Sequence, residues 1–88
     1  MSDHFAVGGA VLKPLSHLPP GTLAEVQGII PSDPALSRKL SIMGVVPGAL
    51  VKVASIAPLG DPIEIVVLGY SLALRRNEAD IVQVTLVQ

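Results

Sequence analysis

The side chains that could do chemistry in this chain are few and scattered. It has two histidines, His4 and His17, and no cysteine. Enzymatic chemistry needs a nucleophile with a nearby base, or a positioned acid–base pair. No Ser-His-Asp, His-Glu-x-x-His or phosphate-loop pattern is present. Asp61 and Glu64 lie close together, but their proline and isoleucine neighbours favour a turn acid and an exposed strand acid. We therefore predict no catalytic residues and no enzymatic activity.

Metal binding has little support in the residue pattern. Ferrous iron favours histidine and carboxylate ligands, and the chain carries such groups singly rather than in clusters. The possible ligands among them are Asp3, His4, His17, Asp61, Glu64, Glu78 and Asp80. We interpret these side chains as solvated surface groups. We therefore predict no cofactor and no metal site within one chain. His4 and His17 stay as candidates for a weak Fe2+ or Zn2+ site formed where two chains meet.

Composition excludes several classes of partner. The chain has 88 residues, 15% of them charged, with a net charge of −1, so no strongly basic face is expected. Binding to nucleic acid is therefore not predicted. Phe5 and Tyr70 are the only aromatic residues, too few for the aromatic groove that binds proline-rich peptides.

Several sequence features favour the cytoplasm. The absence of cysteine fits a reducing compartment. No apolar run approaches the roughly 18 residues of a membrane helix, and the start of the chain lacks the features of a secretory signal. We predict a cytoplasmic protein that does not insert into the membrane.

One short helix is predicted between residues 33 and 44. Asp33 is a preferred N-cap residue and Pro34 suits the first helical position. Leu36, Leu40 and Met43 follow at i, i+4 and i+7 and form one apolar face. Gly44 is expected to adopt the left-handed conformation that ends many helices.

Two tight turns flank the strand that follows this helix. Pro47-Gly48 suits a type II turn, with proline at the second position and glycine at the third. Residues 50–57 are rich in β-branched and aliphatic side chains and predict a strand. Residues 58–62, Pro-Leu-Gly-Asp-Pro, turn the chain again.

The remaining pattern predicts a small, mostly β domain. Strands are expected at residues 23–30, 50–57, 63–68, 71–75 and 80–87, with a polar turn at residues 76–78. Five short strands with tight turns and one helix between the first two argue for a small closed barrel. Residues 1–13 are predicted to form a loose N-terminal arm and residues 14–88 the barrel domain.

The strands carry more apolar side chains than one barrel interior can hold. Ile63, Ile65 and Val67 form one inward set, which leaves Val66 and Leu68 pointing outward. Two explanations stay open: cover by the arm or helix of the same chain, or an interface with another chain. A homo-oligomer is one form of the second explanation.

The motifs in the middle of the chain resemble a known family. Residues 40–48 (Leu-Ser-Ile-Met-Gly-Val-Val-Pro-Gly) and 57–63 (Ala-Pro-Leu-Gly-Asp-Pro-Ile) are similar to the signature of the ferrous iron transport protein A (FeoA) family. The likeness extends to residues 15–21, 72–75 and 78–79. Met43 stands where the family usually has leucine, a substitution that conserves volume.

This resemblance implies a fold, a process and a partner. It implies a barrel of the SH3 type with a helical insertion, and a small non-enzymatic protein of ferrous iron uptake. The implied partner is the membrane permease of that system, FeoB, which carries a GTP-binding domain.

The residues add a hypothesis for the partner-binding face. Two rigid segments, the corner at residues 40–48 and the turn at residues 58–62, are expected to dock on the partner, with Arg75 and Glu78 as a charged rim. The predicted set comprises Leu40, Met43, Gly44, Pro47, Gly48, Pro58, Leu59, Gly60, Asp61, Pro62, Arg75 and Glu78. Two alternatives stay open: Leu59 caps the barrel, and Arg75 pairs with Glu78.

A second function comes from a related likeness. FeoA-like barrels resemble the C-terminal SH3-like domain of iron-dependent transcriptional repressors, so the chain could be a metal-responsive regulatory module. The absence of a helix-turn-helix pattern and the few metal ligands argue against it.

Overall fold

The computed structural model describes residues 6–7 and 10–87, which form eight strands and three helical segments. The strands are β1 (Ala6–Val7), β2 (Ala10–Val11), β3 (Lys13–Pro14), β4 (Leu23–Ile29), β5 (Leu50–Ile56), β6 (Ile63–Val67), β7 (Tyr70–Leu74) and β8 (Val82–Leu86). The helices are a 3₁₀ turn, η1 (Leu15–His17), and two α-helices, α1 (Pro34–Ile42) and α2 (Arg76–Asp80). None of these helices has the length and apolar composition needed to cross a membrane.

Six strands form one antiparallel sheet in the order β3-β8-β4-β5-β6-β7, and β1 pairs with β2. This is the predicted mostly β, SH3-like fold, with α1 between β4 and β5. The predicted closure by strands is not seen, because no ladder joins β3 to β7 in the described part of the chain. Instead, α2 lies against η1, where the Ser16 hydroxyl donates a hydrogen bond to the Asp80 carboxylate.

The core is aliphatic and follows the period of the strands. On β6, the predicted inward residues Ile63, Ile65 and Val67 are all buried, which confirms the inward set. Alternate residues of the neighbouring strands complete the layer: Ala24, Val26, Val51, Val53, Val82 and Val84. Burial of this apolar set is the main driving force for folding so small a sheet.

Helix α1 begins and ends where its sequence predicts. The Asp33 carboxylate accepts a hydrogen bond from the Ala35 N–H at 2.9 Å, which satisfies one of the free donors of the first turn. At the other end, Gly44 has φ +92°, and its N–H donates to Ser41 O at 3.0 Å. The Val45 N–H donates to Leu40 O at 2.9 Å, so the helix ends in a complete Schellman motif.

The turn after α1 is also as predicted. Gly48 has φ +91°, and the Ala49 N–H donates to Val46 O at 3.0 Å, as a type II turn requires. Gly48 N–H donates to Val26 O, and Val26 N–H donates to Ala49 O, both at 2.8 Å. The corner is therefore held by hydrogen bonds to β4.

Two segments differ from the predicted secondary structure. Residues 76–78, predicted as a polar turn, begin helix α2, and the last strand starts at Val82 rather than at residue 80. Helix formation is favoured here because the Glu78 carboxylate reaches back to the Arg75 N–H at 2.8 Å. Within the segment predicted as an arm, β1 and β2 pair as two short antiparallel strands. Phe5, in the predicted arm, lies outside the described residues.

Gly44 and Gly48 together allow the energetic cost of a steric clash to be measured separately from the cost of a left-handed backbone. A Cβ atom at this position would lie 2.7 Å from Leu68 Cδ1, whereas at Gly48, with nearly the same φ, it would meet nothing within 4 Å. We expect Gly48→Ala to lower the free energy of unfolding by about 1–2 kcal/mol for the left-handed backbone alone. Gly44→Ala should lower it slightly more, because the exposed end of the Leu68 side chain must move away from the new methyl group, as measured by urea denaturation.

Leu68→Ala provides the matched test, since the Leu68 side chain is largely exposed. Added to Gly44→Ala, it should recover the extra loss. If Gly44→Ala and Gly48→Ala destabilise equally, the Leu68 contact has no energetic role.

Candidate partner-binding face

The turn after β5 holds one large apolar side chain in solvent. The Gly60 N–H donates to Ala57 O at 2.7 Å, and the Ala57 N–H donates to Pro62 O at 3.0 Å. Gly60 has φ +87°, a conformation that glycine adopts without strain. Leu59 is 96% exposed, so it points outward and does not cap the barrel.

Helix α2 braces this turn. Asp61 Oδ1 accepts a hydrogen bond from the Arg76 N–H at 2.9 Å, at the first residue of α2. The Arg76 side chain also donates to Gly60 O, at 3.5 Å. The Asp61 carboxylate thus satisfies a backbone donor that a helix start leaves free.

A buried carboxylate lies beside the turn and joins three elements. Glu78 is 5% exposed. Its Oε2 accepts from Lys39 Nζ of α1 at 2.7 Å, and its Oε1 accepts from the Arg75 N–H at 2.8 Å. The ion pair of Glu78 is with Lys39 and not with the Arg75 side chain, which was the alternative left open; Arg75 contributes its backbone N–H instead.

Two opposing effects set the pKa of Glu78. Burial acts to raise it, because a charged carboxylate loses hydration. The hydrogen bonds from Lys39 and Arg75, together with the positive charges of both residues, outweigh burial and lower the pKa below its ordinary value of 4.5. Glu78 is therefore ionised at neutral pH.

The two predicted segments of the face lie at opposite ends of β6. The turn at residues 58–62 precedes Ile63, whereas the corner meets the other end, where Leu68 lies against Gly44. A strand of this length spans about 13 Å. Helix α1 runs between the two ends of β6. Its Lys39 lines a surface depression with Asp61 and Pro62 of the turn, and Gly44 of the corner follows Lys39 by five residues.

The predicted face residues divide by exposure. Those in solvent are Pro47, Gly48, Pro58, Leu59, Asp61, Pro62 and Arg75, while Met43, Gly44 and Gly60 are half-buried. Leu40 and Glu78 are buried. A buried side chain cannot itself contact a partner, so these two are corrected to supporting positions behind the face.

Two exposed apolar residues lie near this face but were not assigned to it from the sequence: Ile42 was missed, and Leu68 was predicted only to point outward. Ile42 is 77% exposed at the end of α1, and Leu68 is 71% exposed. Ile42 lies outside the apolar stripe of Leu36, Leu40 and Met43, on the polar side of the helix. An apolar residue at such a position was the sequence signal that it would be exposed.

The described residues hold no cluster suited to a metal ion. No three histidine or acidic side chains come together within residues 6–7 and 10–87. His17 is exposed in η1, and His4 lies outside the described residues. Glu64 is exposed and accepts a hydrogen bond from the Ser55 hydroxyl at 3.0 Å.

Comparison with known families assigns the chain. A sequence model of the FeoA domain matches residues 13–86, nearly the whole described domain. The chain belongs to the FeoA family. The match includes both turns of the candidate face and all six strands of the main sheet.

Solved structures agree with this assignment. The FeoA protein from Chlorobium tepidum is 43% identical with a TM-score of 0.80, covering 86% of this chain and 71% of that one. The zinc-complexed FeoA of Stenotrophomonas maltophilia, described as a prokaryotic SH3 domain protein, is 34% identical with a TM-score of 0.70, covering 80% and 86%. IdeR from T. acidophilum shares the fold, with a TM-score of 0.80 at 22% identity over 94% of this chain and 36% of that one.

The lowered pKa of Glu78 predicts how the stability of the fold depends on pH. The ionised carboxylate stabilises the folded state above pH 4.5, and this contribution is lost as the pH falls through the lower folded value. Glu78→Gln should reduce the free energy of unfolding by about 1–3 kcal/mol at pH 7. The difference from the wild type should shrink on acidification, as followed by urea denaturation at several pH values.

Glu64→Gln is the control, because Glu64 is an exposed glutamate on the neighbouring sheet surface. The Glu64→Gln variant should lose folding stability on acidification as the wild type does, because its Glu78 is intact. A constant difference between the wild type and Glu78→Gln across this range would contradict the assigned role.

Proposed function

We propose that this protein is a non-enzymatic, cytoplasmic component of ferrous iron uptake that binds the FeoB-type, GTP-dependent iron permease. Family membership supports a role in ferrous iron transport. The relative from Stenotrophomonas maltophilia is described as a candidate ferrous iron transport activating factor. The residues add a means of binding, namely an exposed apolar anchor on a braced turn.

Leu59 is the observation that carries this proposal. A single exposed leucine needs no explanation on a protein surface. This one is 96% exposed, and its turn is held by two internal hydrogen bonds and by the hydrogen bond that Asp61 accepts from the Arg76 N–H of α2. Since the backbone is already ordered, burying the side chain in a partner would stabilise the complex by about 1.5–3 kcal/mol with little loss of backbone entropy.

The charges around the anchor would select the partner. Asp61 lies in the turn, and Arg75 and Lys39 line the adjacent depression with the buried Glu78. Charges at the edge of an interface affect the rate of encounter and the choice of partner more than the affinity. A complementary surface would therefore carry an apolar pocket flanked by both signs of charge.

Leu59→Asp is expected to weaken binding to the cytosolic GTP-binding domain of the permease by at least about tenfold, because burial of an unpaired carboxylate is unfavourable. The melting temperature should hardly change, since Leu59 contacts solvent almost entirely. Calorimetric titration of the two purified proteins measures the affinity, and thermal unfolding checks the fold.

Leu68→Asp tests whether the contact extends to the other end of β6. Leu68 is similarly exposed and has φ +54°, a conformation that aspartate tolerates better than leucine. Weakened binding by both variants would place the partner across the whole face, and weakened binding by Leu59→Asp alone would confine it to the turn. Unchanged binding by both would exclude this face.

A metal-responsive regulatory module is the second candidate. The likeness to IdeR extends over most of this chain, but at 22% identity it concerns the fold alone, and a shared fold does not carry function. The titration above separates the two, because a regulatory module would bind the permease domain neither before nor after Leu59→Asp.

A further inference from the structure

Strand β7 is an edge strand without the usual protection. It pairs with β6, and no described strand pairs with its other side. The opposite edge, β3, is two residues long and contains Pro14. The sequence of β7 is Tyr-Ser-Leu-Ala-Leu, with no charge and no proline, whereas natural edge strands are usually blunted by such residues.

Hairpin geometry shows which backbone groups of β7 are free. The two-residue turn at Leu68 and Gly69 has φ +54° and +80°, so Val67 and Tyr70 form a hydrogen-bonded pair. By alternation Leu72 and Leu74 also bond to β6. The N–H and C=O groups of the residues between and after them, Ser71, Ala73 and Arg75, point away from the sheet.

Helix α2 uses the groups at one end of this row. The Arg75 N–H donates to Glu78, and Arg75 O accepts from the N–H groups of Glu78 at 2.9 Å and Ala79 at 3.0 Å. The outward groups of Ser71 and Ala73 have no backbone partner among the described residues. The free edge is therefore residues 71–73, limited by the turn on one side and by α2 on the other.

We propose that a second copy of this chain pairs with this edge, strand β7 against strand β7, about a two-fold axis through Leu72. In this register Ser71 of each copy lies opposite Ala73 of the other, and the four free groups on each side form four hydrogen bonds. An axis through Ser71 would require Gly69, which lies in the turn. An axis through Ala73 would require the groups of Arg75 that α2 already uses.

The side chains fit the same register. The two half-buried Leu72 side chains meet on the axis. Tyr70, which is 71% exposed, takes the position opposite Leu74 of the other copy, whose side chain is buried in its own core and adds no contact. Contact between the two Leu72 side chains would stabilise the pair by removing apolar area from water. The two Arg75 residues lie at opposite ends, about 20 Å apart along the strands, beyond the range of strong repulsion in physiological salt.

The pairing does not depend on the proposed permease contact. The edge is short relative to the area that stable interfaces bury, so a weak dimer is expected, populated at high protein concentration. Sedimentation velocity on the full chain, from low micromolar to millimolar concentration and with a chelator present, should show a reversible monomer–dimer equilibrium without metal.

Ala73→Pro removes one outward N–H and leaves the β6 ladder intact, a placement that edge strands tolerate. It should raise the dimer dissociation constant at least about tenfold. Ala73→Val, which keeps the N–H, is the matched control and should dimerise as the wild type does. Circular dichroism confirms that each variant is folded.

A pair of charge variants tests the register itself. Ser71→Glu with Ala73→Lys places opposite charges against each other twice across the axis, whereas Ser71→Lys with Ala73→Lys places like charges there. Both keep lysine beside Glu64, the neighbour of Ala73 on β6, so the monomers are matched. The first variant should dimerise about tenfold more tightly than the second. This comparison can be made even if Ala73→Pro does not fold.

Three results would overturn the proposal. One is a wild-type chain that stays monomeric to millimolar concentration. Another is equal dimerisation by the two charge variants, which would exclude this register. The third is a wild-type chain that is monomeric and binds the permease domain, together with an Ala73→Pro variant that no longer binds it. That result would mean that the edge pairs with a strand of the permease and not with a second copy. Loss of permease binding with Leu59→Asp alone would leave the dimer unaffected, so the two proposals can fail separately.

Discussion

The carboxylate of Glu78 connects parts of the structure that backbone pairing leaves separate. Lys39 belongs to α1, Arg75 follows the last residue of β7, and Glu78 itself lies in α2. One buried group accepts hydrogen bonds from both of the other elements. Because a buried charge without partners is strongly unfavourable, the three elements can pack together only in an arrangement that supplies these donors. The small apolar sheet thus has a buried polar contact that fixes α1 against α2.

Helix α2 is consequently more than a connection between β7 and β8. At its start, the Arg76 N–H donates to Asp61 in the turn after β5, and the N–H of the N-cap residue Arg75 donates to Glu78 in the first turn of the helix. The same arrangement holds the Leu59 turn and occupies the outward groups of Arg75. A five-residue helix would not be stable alone, so its stability comes from these bonds and from buried Ala79 against the core.

The fold was predictable where local chemistry and periodicity agree. The start of α1 at Asp33-Pro34, its end at Gly44, the turn at Pro47-Gly48 and the inward set of β6 follow from residue types at fixed spacings, and all are found. Helix α2 was not predicted because Arg-Asn-Glu carries no apolar period, and its formation depends on Lys39, distant in sequence. The open ladder order likewise depends on how α2 and η1 fill the gap between β3 and β7, which no local pattern specifies.

The candidate site was predicted in part, for a similar reason. Rigid turns and an outward Leu59 can be inferred from proline and glycine positions, but burial of Leu40 and Glu78 depends on what packs over them. The surplus of aliphatic residues has a geometric origin. Leu59 and Leu68 lie in turns at the two ends of β6, where a chain reversal carries side chains beyond the last pair of strands and no neighbouring strand can cover them. Ile42 ends α1 at the same kind of boundary. The apolar excess therefore concentrates at the margins of the barrel rather than in its interior, where it is available to a partner and not to the core.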